Sequence, residues 1–149
     1  MNIGPEGLTV VIPTRDRWDI LERTLRALAA QTVRGFGVVV VVDGTDQAVP
    51  SLREAFPDVQ VVQVEHGGPG EARNAGVART SCELVLFLGD DMIPVPDLVE
   101  RHLARHAVEG GPAVAVLGSV TRYPDDRRTQ LLGCIDGAGM HCQLAGTND

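Results

Sequence analysis

Residues 36–44 read Phe-Gly-Val-Val-Val-Val-Val-Asp-Gly and contain the longest apolar run of the chain. An almost unbroken series of valines is typical of a β-strand that is covered on both faces, as strands of a parallel sheet are. The Asp43-Gly44 pair that follows is a turn signal, so the strand is predicted to end at Val42. The run therefore predicts an inner strand of an α/β sheet.

On either side of this run, segments with strand character alternate with segments of helical character. The predicted strands are Leu8–Ile12, Phe36–Val42, Val59–Val64, Leu84–Leu88 and Ala113–Val120. The predicted helices are Arg17–Ala30 with Asp16 as its N-cap, Ser51–Phe56, Pro69–Ala78 and Pro96–His106. This alternation predicts a mainly parallel sheet with helices on both faces. Ligands of such sheets bind at the carboxyl ends of the strands.

The composition excludes several classes of function. The chain has 149 residues and a net charge of −7, which argues against a nucleic-acid partner. All 13 basic residues are Arg, so a Walker A loop and a Schiff-base mechanism both lack their Lys. No apolar run approaches the roughly 20 residues of a membrane span. We therefore expect a cytoplasmic protein without a transmembrane segment, membrane-associated only through parts that this chain does not include.

Cysteine and histidine residues give no strong metal or disulfide pattern. The three cysteines are odd in number and form no Cys-x-x-Cys motif, which favours a reducing compartment. Cys134, His141 and Cys142 lack the paired spacing of a zinc site, so zinc is disfavoured. His102 and His106 stand at i and i+4 of a predicted helix. Without a third ligand in register, they are predicted to lie on a solvated face rather than to bind a metal.

Polar residues follow the predicted strands at one edge of the sheet. The Asp90-Asp91 pair suits Mg²⁺ or Mn²⁺, which are held by one or two carboxylates plus substrate phosphates, or it is a solvated turn. Asp43 suits a ribose hydroxyl, as in a dinucleotide-binding fold, or belongs to a turn. Arg73, one turn into a helix whose amides face the same edge, suits a diphosphate. Alternatively, Arg73 pairs with Glu71 or Asp90. A dinucleotide-binding fold is excluded because no Gly-x-Gly-x-x-Gly follows the first strand.

Four segments together resemble the family 2 glycosyltransferases in order and spacing, from Leu8 to about Thr121. These segments are Val10–Arg17 (VVIPTRDR), Val41–Gly44 (VVDG), Gly70–Gly76 (GEARNAG) and Leu86–Pro94 (LFLGDDMIP). The resemblance implies a Rossmann-like GT-A fold and a metal-dependent, inverting transfer of a sugar from a nucleotide-diphosphate sugar. Mn²⁺ or Mg²⁺ would be the cofactor, and the acceptor would be a saccharide, a lipid or a small molecule.

The same resemblance implies roles for individual residues. Pro13, Thr14 and Arg15 would line the base and the ribose, and Asp43 would hydrogen-bond the base. Arg73 would lie near the nucleotide, Asp90 on the ribose or the metal, and Asp91 on the metal. Two positions depart from the family pattern. Gly89 stands where the acidic motif commonly has Asp, and Arg15 stands where an aromatic residue is common.

The resemblance also suggests how the chain is organised. Residues 1–121 would form the nucleotide-sugar-binding domain, and residues 122–149 would begin an acceptor region that looks truncated. Family members carry an Asp or Glu general base further along, whereas no Glu follows Glu109 here. The catalytic base is therefore unassigned. Two alternatives remain open: a non-catalytic nucleotide-diphosphate-binding module, and a sugar nucleotidyltransferase, whose glycine-rich loop and Lys are missing.

Overall fold

The computed structural model describes residues 3–44, 49–109 and 114–121. The chain divides into two units, Met1–Leu117 and Gly118–Asp149, and every helix and strand described below belongs to the first. The proposed acceptor region 122–149 and the residues Cys134, His141 and Cys142 lie outside the described ranges. The functional assignment of residues 1–121 and 122–149 therefore stays a prediction.

Four parallel strands form one sheet, in the order β3-β2-β1-β4. The strands are β1 Leu8–Thr14, β2 Gly37–Asp43, β3 Gln60–Val64 and β4 Leu84–Phe87. β1 pairs with β2 from Thr9↔Gly37 to Thr14↔Val42, and on its other side with β4. The strand order changes direction between β1 and β4. At such a switch point the connections diverge to opposite sides and leave a crevice at the carboxyl edge.

The valine-rich strands are buried on both faces, as the sequence predicts. Side chains alternate along a strand, so neighbouring valines face opposite sides of the sheet. Val40 and Val42 contribute to one apolar cluster, and Val39 and Val41 contribute to a second one. Helices therefore cover both faces, and the α/β prediction is confirmed.

Three helices lie between the strands along the chain, namely α1 Trp18–Ala29, α2 Val49–Ala55 and α3 Pro69–Val77, and α4 Leu98–Glu109 follows β4. Buried residues of α1, α2 and α4 belong to the first cluster, and Ala72 of α3 belongs to the second. Leu21, Leu25 and Leu28 are at most 2% exposed. Burying each of them contributes about 2 kcal/mol. None of the described helices has the length and hydropathy of a membrane-spanning helix.

α3 lies very close to the sheet because residue 76 is a glycine. Gly76 is buried, and a methyl group on it would overlap Val11 Cγ1 and lie 3.1 Å from Val41 Cγ2. Any larger residue would have to push the helix away from β1 and β2. Gly76 thus sets how closely α3 packs against β1 and β2.

Some predicted bounds are wrong by two residues, since β1 continues to Thr14 and α2 begins at Val49. Three further details of the predicted elements are also wrong. Asp16 is not an N-cap: its φ is 52°, and α1 begins at Trp18, after Arg17. α4 begins at Leu98 rather than Pro96, and the side chain of Gln31 accepts the backbone N–H of Val99 in its first turn (3.1 Å). The predicted fifth strand is absent, because described residues 114–121 have no regular structure. A strand needs a hydrogen-bonded neighbour, and Leu117 is instead 76% exposed.

His102 on α4 is buried, so the predicted solvated face is wrong at this position. Its side chain is 7% exposed, and no described residue forms a hydrogen bond with it. Burial, followed by the nearby His106, lowers the pKa of His102 below its ordinary value. This environment favours the neutral imidazole in the folded chain.

We expect folding stability to fall as the pH drops below about 6.5, the ordinary pKa of His. Below that value the unfolded chain takes up a proton at His102 that the folded chain does not, so protonation favours unfolding. His102→Leu should reduce the loss of stability between pH 7.5 and 5.5, measured by urea unfolding. His106→Leu, at a partly exposed position on the same helix, is the control. Equal pH profiles for the parent and His102→Leu would contradict the prediction.

Candidate functional site

The predicted polar residues meet at the carboxyl edge of the sheet. Thr14 ends β1, Asp43 ends β2, and Asp90 follows the end of β4 at Phe87. Both carboxylates are buried, each being 6% exposed. Buried acids at a strand edge require hydrogen-bond donors, and the donors define two neighbouring clusters, one around Asp90 and one around Asp43.

The first cluster, the Asp90 cluster, bridges the switch point of the sheet. The Thr14 hydroxyl donates to Asp90 Oδ2 (2.8 Å), which links β1 to the loop after β4. Arg17 Nη1 donates to Asp90 Oδ1 (2.9 Å), and Arg17 Nη2 lies 3.5 Å from Asp91 Oδ2. Both oxygens of Asp90 are therefore engaged by the protein itself. Asp91 is more open, with its side chain 53% exposed.

Thr24 of α1 fixes the loop that carries the acidic pair. Its hydroxyl lies 2.7 Å from the Asp90 carbonyl oxygen and 2.8 Å from the Met92 carbonyl oxygen, so its proton is shared between them. Thr24 is fully buried in the apolar stripe of the helix, next to Leu25. Sequence reasoning missed Thr24. The available signal was a hydroxyl residue in an otherwise leucine-lined stripe.

Asp43 forms the second cluster, the Asp43 cluster, by holding the loop between β3 and α3. Its carboxylate accepts the backbone N–H of Gly67 (2.9 Å) and of Gly68 (3.2 and 3.3 Å), and lies 3.0 Å from His66 Nδ1. The Gly67 hydrogen bond is the main reason why the pKa of Asp43 is lowered, with help from His66 and Gly68 and against the effect of burial. The carboxylate thus stays ionised and fixes Gly68, the residue before α3.

Arg15 extends the Asp43 cluster toward solvent. Its Nη1 lies 2.9 Å from His66 Nδ1 and 2.7 Å from His66 Nε2. Arg15 and Arg17 thereby serve different clusters, although only Asp16 separates them in sequence. The left-handed backbone of Asp16 occurs in the turn that sends one arginine to each side of β1. An αL conformation at a non-glycine residue is uncommon, and Asp is one of the residues that tolerates it.

Arg73 lies on the first turns of α3 with a largely available guanidinium group. Within the described ranges, Nη1 forms a hydrogen bond only with the Pro69 carbonyl oxygen, at 3.3 Å. Among the described residues, no ion pair joins Arg73 to Glu71 or Asp90, the two partners considered as alternatives. The first-turn amides of a helix also have no intrahelical acceptor. The start of α3 therefore offers N–H donors beside a free positive charge.

The residues fit a divalent ion only if the substrate completes its coordination. In the part of the chain that the structure describes, no three His, Cys, Asp or Glu side chains are grouped as metal ligands. Asp91 Oδ1 has no hydrogen-bond partner there. Mg²⁺ and similar hard ions are commonly held by one or two carboxylates together with substrate phosphates. Asp91 can serve as such a ligand, whereas the oxygens of Asp90 are already engaged.

Comparison with known proteins identifies the family of this chain. The sequence model of Glycosyl transferase family 2 matches residues 9–135. Validoxylamine A glucosyltransferase of Streptomyces hygroscopicus subsp. jinggangensis is 37% identical over 123 residues, which is 78% of this chain and 29% of that protein. Pre-mycofactocin glycosyltransferase of Mycobacterium tuberculosis is 38% identical over 96 residues, which is 61% of this chain and 19% of that protein. The chain thus spans less than a third of these relatives.

Solved structures share the architecture. S. aureus TarS 1-349 in complex with UDP-GlcNAc has a TM-score of 0.62 and 27% identity, over 68% of this chain and 31% of that one. Mannosyltransferase PcManGT from Pyrobaculum calidifontis, in complex with GDP-Man and Mn²⁺, has a TM-score of 0.55 and 24% identity. The match covers 68% of this chain and 34% of that one. The parallel sheet and these likenesses confirm the expected GT-A fold. The chain therefore belongs to Glycosyl transferase family 2.

Proposed function

We propose that this chain binds a nucleotide-diphosphate sugar together with Mn²⁺ or Mg²⁺ and forms the donor-binding part of an inverting glycosyltransferase. The observation that carries the proposal is the Asp90 cluster, which holds a half-exposed Asp91 at the switch point of the sheet. Family membership and the likeness to a structure that contains UDP-GlcNAc support it. The acceptor and the general base are not assigned.

The nucleoside would occupy the edge formed by β1 and β2. Pro13, Thr14 and Arg15 would line the base and the ribose, and Asp43 would accept a hydrogen bond from the base. The carboxylate of Asp43 already accepts from the backbone of Gly67 and Gly68 and contacts His66. A base that uses Asp43 would therefore replace the exposed His66 contact rather than the two backbone contacts. Those backbone contacts would keep the loop before α3 in place.

The diphosphate would lie between α3 and the acidic pair. Arg73 and the first-turn amides of α3 would bind its oxygens, because a helix N-terminus and a guanidinium both favour anions. Asp91 would be the metal ligand. Asp90, whose two oxygens already accept from Thr14 and Arg17, would contact the ribose through a remaining lone pair while orienting Arg17. When bound, the divalent ion would offset the charge that develops on the departing diphosphate.

The test is a binding panel of UDP, GDP, TDP and CDP, each with Mn²⁺ and with EDTA. At about 100 times its dissociation constant, the nucleotide that binds should stabilise the chain by about 2.7 kcal/mol. We expect this stabilisation only when the metal is present. Equal stabilisation in EDTA, or none from any nucleotide, would refute the proposal. Thermal unfolding and calorimetry both provide the measurement.

Arg73→Ala should weaken nucleotide binding by about tenfold, because it removes a charge-assisted hydrogen bond worth roughly 1.5 kcal/mol. Arg79→Ala is the matched control, since Arg79 is an exposed arginine just beyond the other end of α3. It removes the same charge but lies away from the carboxyl edge. Similar losses at both positions would indicate general electrostatic attraction rather than a contact. Calorimetric titration with the selected nucleotide and Mn²⁺ distinguishes the two cases.

A further inference from the structure

Arg17 lies between the two carboxylates of the Asp90 cluster, in the place where a cation would be expected. Its guanidinium is 2.9 Å from Asp90 Oδ1 and 3.5 Å from Asp91 Oδ2. The side chain of Arg17 is 42% exposed, that of Asp90 8% and that of Asp91 53%. The contact with Asp90 is therefore partly shielded from water, and the contact with Asp91 is open to it.

This arrangement changes the charge that a metal ion meets. Two adjacent carboxylates repel each other when both are ionised, and the guanidinium reduces their summed charge from −2 to −1. Both oxygens of Asp90 are occupied, one by Arg17 and one by Thr14. An incoming ion therefore finds a single open carboxylate, with a positive group beside one of its oxygens.

The repulsion between Arg17 and a divalent ion is large enough to matter. Two unit charges about 4 Å apart change a binding constant by about fivefold in water, and by more near a protein surface. A doubly charged ion doubles that interaction. A bound diphosphate has the opposite effect, because its negative oxygens attract the ion and the guanidinium together.

We propose that Arg17 is a positioning residue that acts as the counter-ion of Asp90 and Asp91 in the nucleotide-free chain and weakens the binding of a divalent ion alone. The ion is then held well only together with the diphosphate. The inference rests on the proposed function in one respect, namely that Asp91 is the metal ligand. It goes further because it names one side chain, Arg17, as the reason why the affinity for the metal ion depends on the nucleotide.

The experiment measures the affinity of the full chain for Mn²⁺ without nucleotide, by calorimetry or by the signal of free Mn²⁺ in electron paramagnetic resonance. Arg17→Gln should bind Mn²⁺ about tenfold more tightly than the parent, since a repulsive charge is removed. Arg17→Lys keeps the charge and should resemble the parent. Arg26→Gln is the control for net charge, because Arg26 is an exposed residue of α1 that pairs with Glu22.

A merely structural role for Arg17 predicts unchanged or weaker Mn²⁺ binding, so tighter binding separates the two roles. Arg17→Gln binding no tighter than Arg26→Gln would overturn the proposal. So would a gain that persists when Asp91→Asn is added, because the ion would then be held elsewhere. Arg17→Met, whose side chain is neutral and unbranched, is measured in parallel in case the Arg17→Gln variant does not fold. The nucleotide-binding panel is a separate experiment. If the proposed function is wrong, that panel shows it independently of the Mn²⁺ affinities of the Arg17 variants.

Discussion

Replacing Asp91 by Asn is expected to remove the metal-dependent stabilisation of this chain by a nucleoside diphosphate while leaving the fold intact. Asp91 is half exposed, and its only described contact is the 3.5 Å approach of Arg17. The fold therefore does not depend on its charge. A neutral amide is a poorer ligand for a hard divalent ion than a carboxylate is. At about 100 times the parent's dissociation constant, the parent gains about 2.7 kcal/mol and the variant should gain little.

Asp97→Asn is the control for this substitution. Asp97 is a surface carboxylate that pairs with Arg101 at 2.6 Å, so the same change there removes an acid that has no proposed role in binding. It should respond to metal and nucleotide like the parent. Thermal unfolding of the three proteins with nucleotide, in Mn²⁺ and in EDTA, gives the comparison. If Asp91→Asn keeps the full metal-dependent shift, Asp91 is not the ligand.

Gly76→Ala is expected to destabilise the chain by about 1–3 kcal/mol, the usual cost of overpacking a core. The added methyl group would overlap Val11 Cγ1, in a part of the core where β1 and α3 have no free space. Val11 is fully buried and its short side chain has little freedom to move away. Urea unfolding of the parent and the variant measures the difference.

The same substitution at Gly70 should act in the opposite direction. Gly70 is also in α3, but a methyl group there has no atom within 4 Å. Ala is favoured over Gly in a helix by about 0.5–1 kcal/mol, so Gly70→Ala should leave stability unchanged or raise it. If both variants lose the same amount, the close approach of α3 to the sheet is not the cause.

The fold could be predicted because its signals are local. The valines of β2 and the leucines of α1 indicate, within a few residues, whether the segment is a strand or a helix and which side is buried. The alternation of such strands and helices along the chain then predicts the parallel sheet. The errors arise where the structure of a segment depends on contacts with other parts of the chain rather than on its own sequence. Asp16 looks like an N-cap, yet its backbone is needed for the turn between Arg15 and Arg17. Ala113–Val120 has strand composition, but composition alone does not supply a neighbouring strand.

Sequence reasoning named the acids of the candidate site and Thr14, which holds Asp90, but not the other residues that hold those acids. Asp43, Asp90 and Asp91 stand at strand ends, which the sequence shows directly. Thr24 and His66 reach them from other elements, 66 residues from Asp90 and 23 residues from Asp43 respectively. Contacts over such separations depend on how α1 and the loop before α3 pack, which no local pattern encodes. The roles of Pro13, Thr14, Arg15, Asp43, Arg73, Asp90 and Asp91 in binding stay predictions.

The two clusters of the site rest on parts of the sheet with different local stability. Asp43 ends β2, whose last five residues are all buried, and β2 lies between two other strands. Asp90 follows β4, which pairs with β1 alone in the described sheet and has no fully buried residue. Amide exchange by local opening starts where little apolar surface has to be exposed. The acidic pair Asp90-Asp91 therefore follows the strand that we expect to open at the lower free energy. A ligand bound to this pair should slow the amide exchange of β4 more than that of β2.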